Sequence, residues 1–271
     1  MIMIDMHIFW LALIQGLTEF LPVSSSGHLI LFAKYTNFGD QGQHIDIALH
    51  VGSLIAVVLY FYKTIKKMII ALFKHNFMPK FNIEGVRLAY YLLFATIPAI
   101  IIGGALSYFG TSWTRSTQII GYSLIFYSLL LWYADSHFST SKTLKNMRFY
   151  EAILIGLAQC LAFLPGTSRS GITITMGRFL GFNRSEVAKF SMLLSVPSIF
   201  GAGVLAISTL LKKDQISLMI DAYEAIGFSF VFSFLAIFLM MQWLRFATFL
   251  PFVIYRIILG VALLLDAYGV I

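Results

Sequence analysis

Long apolar stretches alternate with short polar ones along this chain. Six stretches, near residues 44–63, 88–109, 115–134, 184–210, 218–244 and 249–268, approach or exceed the ~20 residues that cross a bilayer as a helix. Two more, 7–36 and 150–180, are apolar but broken mid-way by Pro22 and Pro165. Each of these predicts a short helix, a polar turn and a second short helix. Non-helical backbone at membrane depth is tolerated only where it is buried in protein or lines a water-filled cavity, so both are re-entrant candidates. One kinked spanning helix in each place is the plainer alternative. The expected fold is all-α: a polytopic membrane protein of about six transmembrane helices plus two re-entrant helix pairs, in one integral domain covering 1–271.

The two halves echo each other. "EFLPVSSSG" is answered by "AFLPGTSRSG" about 143 residues later, "LHVGSLIAVVL" by "LLSVPSIFGAGVL", and "TIPAIIIGG" by "FLPFVIYRIILG". Apolar strings resemble one another by chance, but three matches in the same order indicate a duplicated unit, with halves of approximately 1–134 and 135–271.

Composition agrees with the pattern. The chain is 59% hydrophobic and 11% charged, less than half the ~25% of a soluble domain, and its mean hydropathy is +0.85. The net charge of +7 does not imply nucleic acid, because the basic residues sit in loops between apolar runs. The loop 63–87 carries Lys63, Lys66, Lys67, Lys74, Lys80 and Arg87 against Glu84, and Lys142, Lys145, Arg148, Arg184, Lys189 and Arg245 fall on the same side. The other side receives Asp5, Asp40, Asp46, Asp214 and Asp221, with Lys34, Arg115, Lys212 and Lys213. The positive side is expected to be cytoplasmic. The first broken pair then enters from outside and the second from the cytoplasm, which makes the duplication an inverted-topology repeat. Such repeats place a site near the midplane. The start of the chain, with Asp5 and no Lys or Arg before Lys34, does not read as a cleavable signal. The single cysteine, Cys160, excludes an intrachain disulfide and reads as a packing residue.

Polar residues concentrate at the two breaks. The first supplies Gln15 and Glu19, four apart on one helical face, then Ser24, Ser25, Ser26, Gly27 and His28. The second supplies Thr167, Ser168, Arg169, Ser170 and Thr173. Both end where a helix starts, with Ser or Thr at the N-cap, and helix N-termini cradle phosphate. Arg169 adds a cationic fork suited to phosphate oxygens. A carboxylate would repel a bare phosphate, so Glu19 reads as a ligand for a bridging divalent cation or as a base. Ser25 is a candidate nucleophile activated by Glu19 or His28, and His28 is itself a rival nucleophile or proton donor. A purely structural Glu19–Arg169 ion pair is the competing reading. Asp46 and His50, four apart, can line the same cavity, and Arg256 is expected to bind carbonyls or an acid.

At these residues the chain resembles the undecaprenyl-diphosphate phosphatase family of the bacitracin-resistance type. "QGLTEFLPVSSSGH" and "LPGTSRSGITIT" match its two signature regions. The resemblance implies hydrolysis of undecaprenyl diphosphate to the monophosphate, recycling the carrier of wall polymers in the bacterial inner membrane, with a site opening to the periplasm. It implies a polyprenyl diphosphate substrate among membrane lipid, with a homodimer as a possible assembly. Carried over by position, Glu19 is the metal-linked or base carboxylate, Ser25 and His28 the rival nucleophiles, and Ser168, Arg169 and Thr173 hold the diphosphate. Gln15, Ser24, Ser26 and Ser170 complete the expected substrate-binding set. Gln15 stands where some members have glutamate, which removes one anionic ligand. Dependence on Mg2+ or Ca2+ is expected from the family alone.

Two other enzyme readings fail. Type 2 phosphatidic acid phosphatases need KxxxxxxRP, but Leu88 follows Arg87, and an intramembrane serine protease needs GxSG where this chain has "SRSG". A transporter or flippase for lipid phosphates is the stronger rival, since it too uses broken helices and inverted repeats. It requires an anion cradle but no nucleophile with an acid–base partner.

Overall fold

The computed structural model describes residues 6–36, 42–109, 116–210 and 219–270. Of the charges used to orient the chain, Asp5, Asp40, Arg115, Lys212, Lys213 and Asp214 lie outside the described residues. Eleven α-helices form within them: α1 Met6–Thr18, α2 Ser25–Tyr35, α3 Gln43–Tyr60, α4 Tyr62–Lys74, α5 Glu84–Phe109, α6 Thr117–His137, α7 Phe149–Gln159, α8 Arg169–Phe179, α9 Arg184–Leu210, α10 Met219–Trp243 and α11 Leu250–Ala267. The helices α3, α5, α6, α9, α10 and α11 fall on the six predicted segments. Of these α5, α6, α10 and α11 are each long and apolar enough to cross a membrane, and the 27 residues of α9 span about 40 Å at ~1.5 Å per residue. This is a polytopic all-α membrane protein.

Both broken stretches fold as helical hairpins. The His7 ring stacks on Phe32 with centroids 6.1 Å apart, and Ile8, Leu11 and Leu29 share one buried cluster. The start of α1 and the end of α2 therefore lie together. In the second stretch Lys142 ties the two ends: its ammonium pairs with Glu151 at the start of α7, and its N–H donates to Gly181 O beyond α8 at 3.1 Å. A single kinked helix would separate such ends by roughly 35 Å or more.

The hairpins enter from opposite ends of the bundle. Lys34, near the end of α2, donates to Thr117 Oγ1 at 2.9 Å and pairs with Asp266 at 3.5 Å, where α6 begins and α11 ends. Phe179, closing α8, packs on Phe138 just beyond the other end of α6. The neighbours follow the same plan in both halves: α1 packs on α10 and α7 on α5, while α3 faces α9 and α6 faces α11. Two glycines make the hairpin contacts close. A Cβ on Gly16 would lie 2.5 Å from Phe232 Cβ, and one on Gly156 only 2.2 Å from Ala95 O. Small residues at such crossings let backbones approach where no hydrophobic force drives helices together.

The basic segment after residue 63 is a helix rather than a loop. α4 turns away from α3 by 78°. Its Ile65, Met68 and Leu72 recur at three- and four-residue spacing, which lines them up on one face. Met68 is buried and Ile65 packs on the core, while Lys63, Lys66, Lys67 and Lys74 are exposed. Arg87, in the first turn of α5, donates from Nη2 to Lys145 O at 2.8 Å, and α5 packs on α4, so α4 and the segment before α7 lie at one basic end.

Candidate active site

Each hairpin turns on a proline and restarts on a strained serine. Pro22 offers no N–H and Leu21 before it is steered away from helical geometry, so α1 stops short of it. Ser24 then takes φ 77° and caps α2, its hydroxyl accepting from Gly27 N at 3.3 Å. After Pro165, Ser168 takes φ 71° and caps α8, its hydroxyl accepting from Gly171 N at 3.1 Å. A positive φ outside glycine costs about 1–3 kcal/mol and tends to mark functional sites. Here the same strain occurs at matching positions of both turns.

The turns meet. Arg169 Nη2 donates to Glu19 Oε1 at 2.7 Å, and Ser170 Oγ donates to Leu21 O at 2.8 Å. Arg256 of α11 closes the junction from a third direction. Its Nη1 donates to Pro22 O at 3.2 Å, and its Nη2 to Gly166 O and Thr167 O at 3.0 and 2.9 Å. It is fully buried and, among the described residues, pairs with no carboxylate. Its positive charge is held by carbonyl dipoles alone.

Glu19 is the hub, with 7% of its surface exposed. Its Oε2 accepts from Ser25 Oγ at 2.7 Å and from Gln15 Nε2 at 3.0 Å. His50 Nε2 lies 3.9 Å from the same oxygen, with Nδ1 fixed on Asp46 O at 2.7 Å. Serine contacts hold α3 in place: Ser229 donates to Leu49 O at 2.7 Å and Ser233 to Ser53 Oγ at 2.9 Å. Two buried polar atoms at the hub make no hydrogen bond, Gln15 Oε1 and Arg169 Nη1. Buried polar atoms are rarely left so, and a carbonyl oxygen and a guanidinium nitrogen, each from a partner of Glu19, suit an incoming charged group.

The predicted residues divide. Gln15, Glu19, Ser25 and Arg169 converge. His28 does not join them directly: its Nδ1 meets Ser24 O at 2.7 Å and its Nε2 meets Tyr255 OH at 2.5 Å, with the two rings stacked at 5.6 Å. Ser26 is exposed on the first turn of α2. Ser168 and Ser170 lie 3.1 Å apart and serve the cap and the cross-link. Thr173 donates to Arg169 O at 2.9 Å and meets Ser191 Oγ at 2.7 Å, buried between α8 and α9. His50 carried only the weak signal of its spacing to Asp46. Tyr255 carried none, beyond standing next to Arg256.

Among the described residues no group of three or more His, Cys, Asp and Glu could hold a metal ion. Glu19 is one carboxylate, and the free oxygen of Gln15 is the second hard donor. That set fits a divalent cation only where phosphate oxygens complete the shell, the usual arrangement for Mg2+ at phosphate substrates.

The family model described as Bacitracin resistance protein BacA matches residues 8–262, which takes in both turns and Arg256. The protein named undecaprenyl-diphosphatase in Ruegeria pomeroyi is 45% identical over 97% of this chain and 98% of that relative. The one in Alteromonas mediterranea is 45% identical over 95% and 97%, and that of Jannaschia sp. 43% over 97% and 98%. With two capped turns closed by one ion pair, and a match from the first hairpin to the last helix, this chain belongs to the bacitracin resistance protein BacA family.

Proposed function

We infer that this chain hydrolyses undecaprenyl diphosphate to undecaprenyl phosphate and inorganic phosphate. The observation that carries the reading is the 2.7 Å hydrogen bond from Ser25 Oγ to Glu19 Oε2, beside Arg169 and at the N-terminus of α2. A transporter or flippase for lipid phosphates needs the cradle but has no use for that bond.

Ser25 Oγ attacks the terminal phosphorus while Glu19 accepts its proton. The bond to the bridging oxygen breaks, and the lipid monophosphate leaves with the electron pair. Arg169, whose Nη1 is unspent, and the α2 N-terminal amides stabilise charge on the transferring group. Water then attacks phosphoserine, returning the serine hydroxyl and releasing phosphate. His28 lies three residues from Ser25 on the same helical face, and its ring, oriented by Ser24 O, is the base for that water once Nε2 exchanges Tyr255 OH for it. Ser24, Ser168, Ser170 and Thr173 hold the turns in register, and Gln15 and Ser26 border the diphosphate. A divalent ion, Mg2+ or Ca2+, would be held by Glu19 and Gln15 with diphosphate oxygens and would neutralise part of the substrate's charge. The basic end of the bundle, with α4, favours the cytoplasm of a bacterial inner membrane. The hairpin of α1 and α2 then opens to the periplasm.

Purified protein in detergent micelles should release phosphate from a polyprenyl diphosphate. Glu19→Ala and Arg169→Ala should each nearly abolish that release while eluting as the parent does. Protein that binds the lipid and never releases phosphate would refute the assignment.

A further inference from the structure

Far from the two turns, a cavity of about 200 Å³ opens at the basic end, between the end of α6 and the starts of α9 and α11. Trp132, Asp135, Ser136, Arg184, Thr248 and Leu250 are among its lining residues. Asp135 is the one carboxylate among them, and it is saturated. Its Oδ1 accepts from Arg178 Nε at 2.9 Å and Arg184 Nε at 2.8 Å, and its Oδ2 accepts from Phe249 N at 3.2 Å. Arg178 is fully buried and spends its remaining N–H groups on the carbonyls of Asp135, Phe138, Ser139 and Phe182.

Two guanidinium groups on one carboxylate leave the cluster with an excess positive charge. The starts of α9 and α11 add the positive ends of their dipoles, two against the one negative end that α6 brings. Arg184 is the outer member, with a quarter of its side chain exposed. It commits Nε and Nη2 to Asp135 and leaves Nη1 unengaged at the cavity. The hydroxyls of Ser136 and Thr248 stand in the same lining and both residues are exposed. Thr248 Oγ1 accepts from Leu250 N at 3.3 Å, so its own hydrogen remains to donate. Trp132 and Leu250, 44% and 45% exposed, make an apolar wall on the outer surface of the bundle.

We propose that this cavity binds the phosphate headgroup of a membrane lipid. Arg184 Nη1 and the Ser136 and Thr248 hydroxyls take the phosphate oxygens, and Trp132 and Leu250 lie along the first carbons of the chain. The volume favours this occupant: pockets enclosing whole drug-sized ligands run to about 300–1,000 Å³, so this one holds a headgroup and leaves the tail in the bilayer. The apolar wall selects a lipid over free phosphate, because a soluble anion gains nothing from it. The site stands apart from the Glu19 centre and does not depend on the activity assigned to it.

Native mass spectrometry of the full chain in detergent, titrated with farnesyl phosphate, phosphatidylglycerol, farnesol or inorganic phosphate, tests it. Wild-type protein and Arg169→Gln should both retain a bound phosphate lipid that Arg184→Gln weakens at least tenfold. Ser136→Trp fills the cavity from an exposed rim position, leaves the arginine cluster intact and should weaken the same adduct as much. Both Arg184→Gln and Ser136→Trp should keep wild-type phosphate release from polyprenyl diphosphate. Unchanged lipid binding in Ser136→Trp overturns the proposal, as does binding of farnesol as tight as that of farnesyl phosphate. Displacement of the lipid by inorganic phosphate at equal concentration also overturns it.

Discussion

Replacing Ser25 by alanine removes one oxygen from the hub and separates two roles that the geometry joins. If the hydroxyl only orients Glu19, its loss is that of one hydrogen bond to a charged group, about 1.5–3 kcal/mol. At ~1.4 kcal/mol per tenfold in rate, that is a fall of about 10- to 150-fold. If Ser25 forms the bond to phosphorus, the covalent route disappears and the loss should exceed about 10⁴-fold, as for other nucleophile deletions. The 2.7 Å contact between Ser25 Oγ and Glu19 Oε2, with His28 Nε2 engaged by Tyr255 instead, predicts the larger figure. Single-turnover release of phosphate from farnesyl diphosphate in micelles measures it directly, with enzyme in excess so that product release does not mask the step. Gln15 still donates to Glu19 in the variant, so the protein should fold. A loss of less than about 150-fold would refute serine attack and leave water, activated by Glu19, as the nucleophile.

Two more tests address the supports of the site. Arg256→Met removes three bonds to carbonyls, while relieving the burial of an arginine without a carboxylate, itself worth several kcal/mol. A net loss of about 3 kcal/mol should lower the thermal midpoint by roughly 6–12 °C, and an unchanged midpoint would show that the clasp carries no load. Chelation with EDTA should stop phosphate release, Mg2+ or Ca2+ should restore it, and Gln15→Ala should raise the ion concentration required. Activity indifferent to EDTA would leave Glu19 acting as a base alone.

The spans were legible because lipid accepts few polar residues, so α5, α6 and α9 to α11 begin and end where the apolar runs do. The turns were legible because proline and serine cannot sit at membrane depth without a reason, and the Gln15–Glu19 and Ser24–Ser25 spacings are local. The α4 helix was hidden: its lysines alternate with Ile65, Met68 and Leu72, and a charge count sees only the lysines. Contacts across the chain were not readable. Nothing in "FLPFVIYR" tells that Tyr255 meets His28, or that Arg256 reaches Pro22 and Gly166, because those partners come together only through the packing of α11. Likewise Arg184 looked like a residue that only orients the chain, until folding set it beside Arg178 on Asp135.

The dependence of both turns on Arg256 has a consequence for how the protein is made. The first turn is synthesised around residue 22 and the second around residue 166, yet the side chain that fastens them arrives with the last helix. A nascent chain lacking α11 can insert most of its spans but has two turns whose carbonyls are unfastened. The centre therefore assembles only once α11 has been made, and shortening the chain within α11 should remove activity even though Glu19, Ser25 and Arg169 are present.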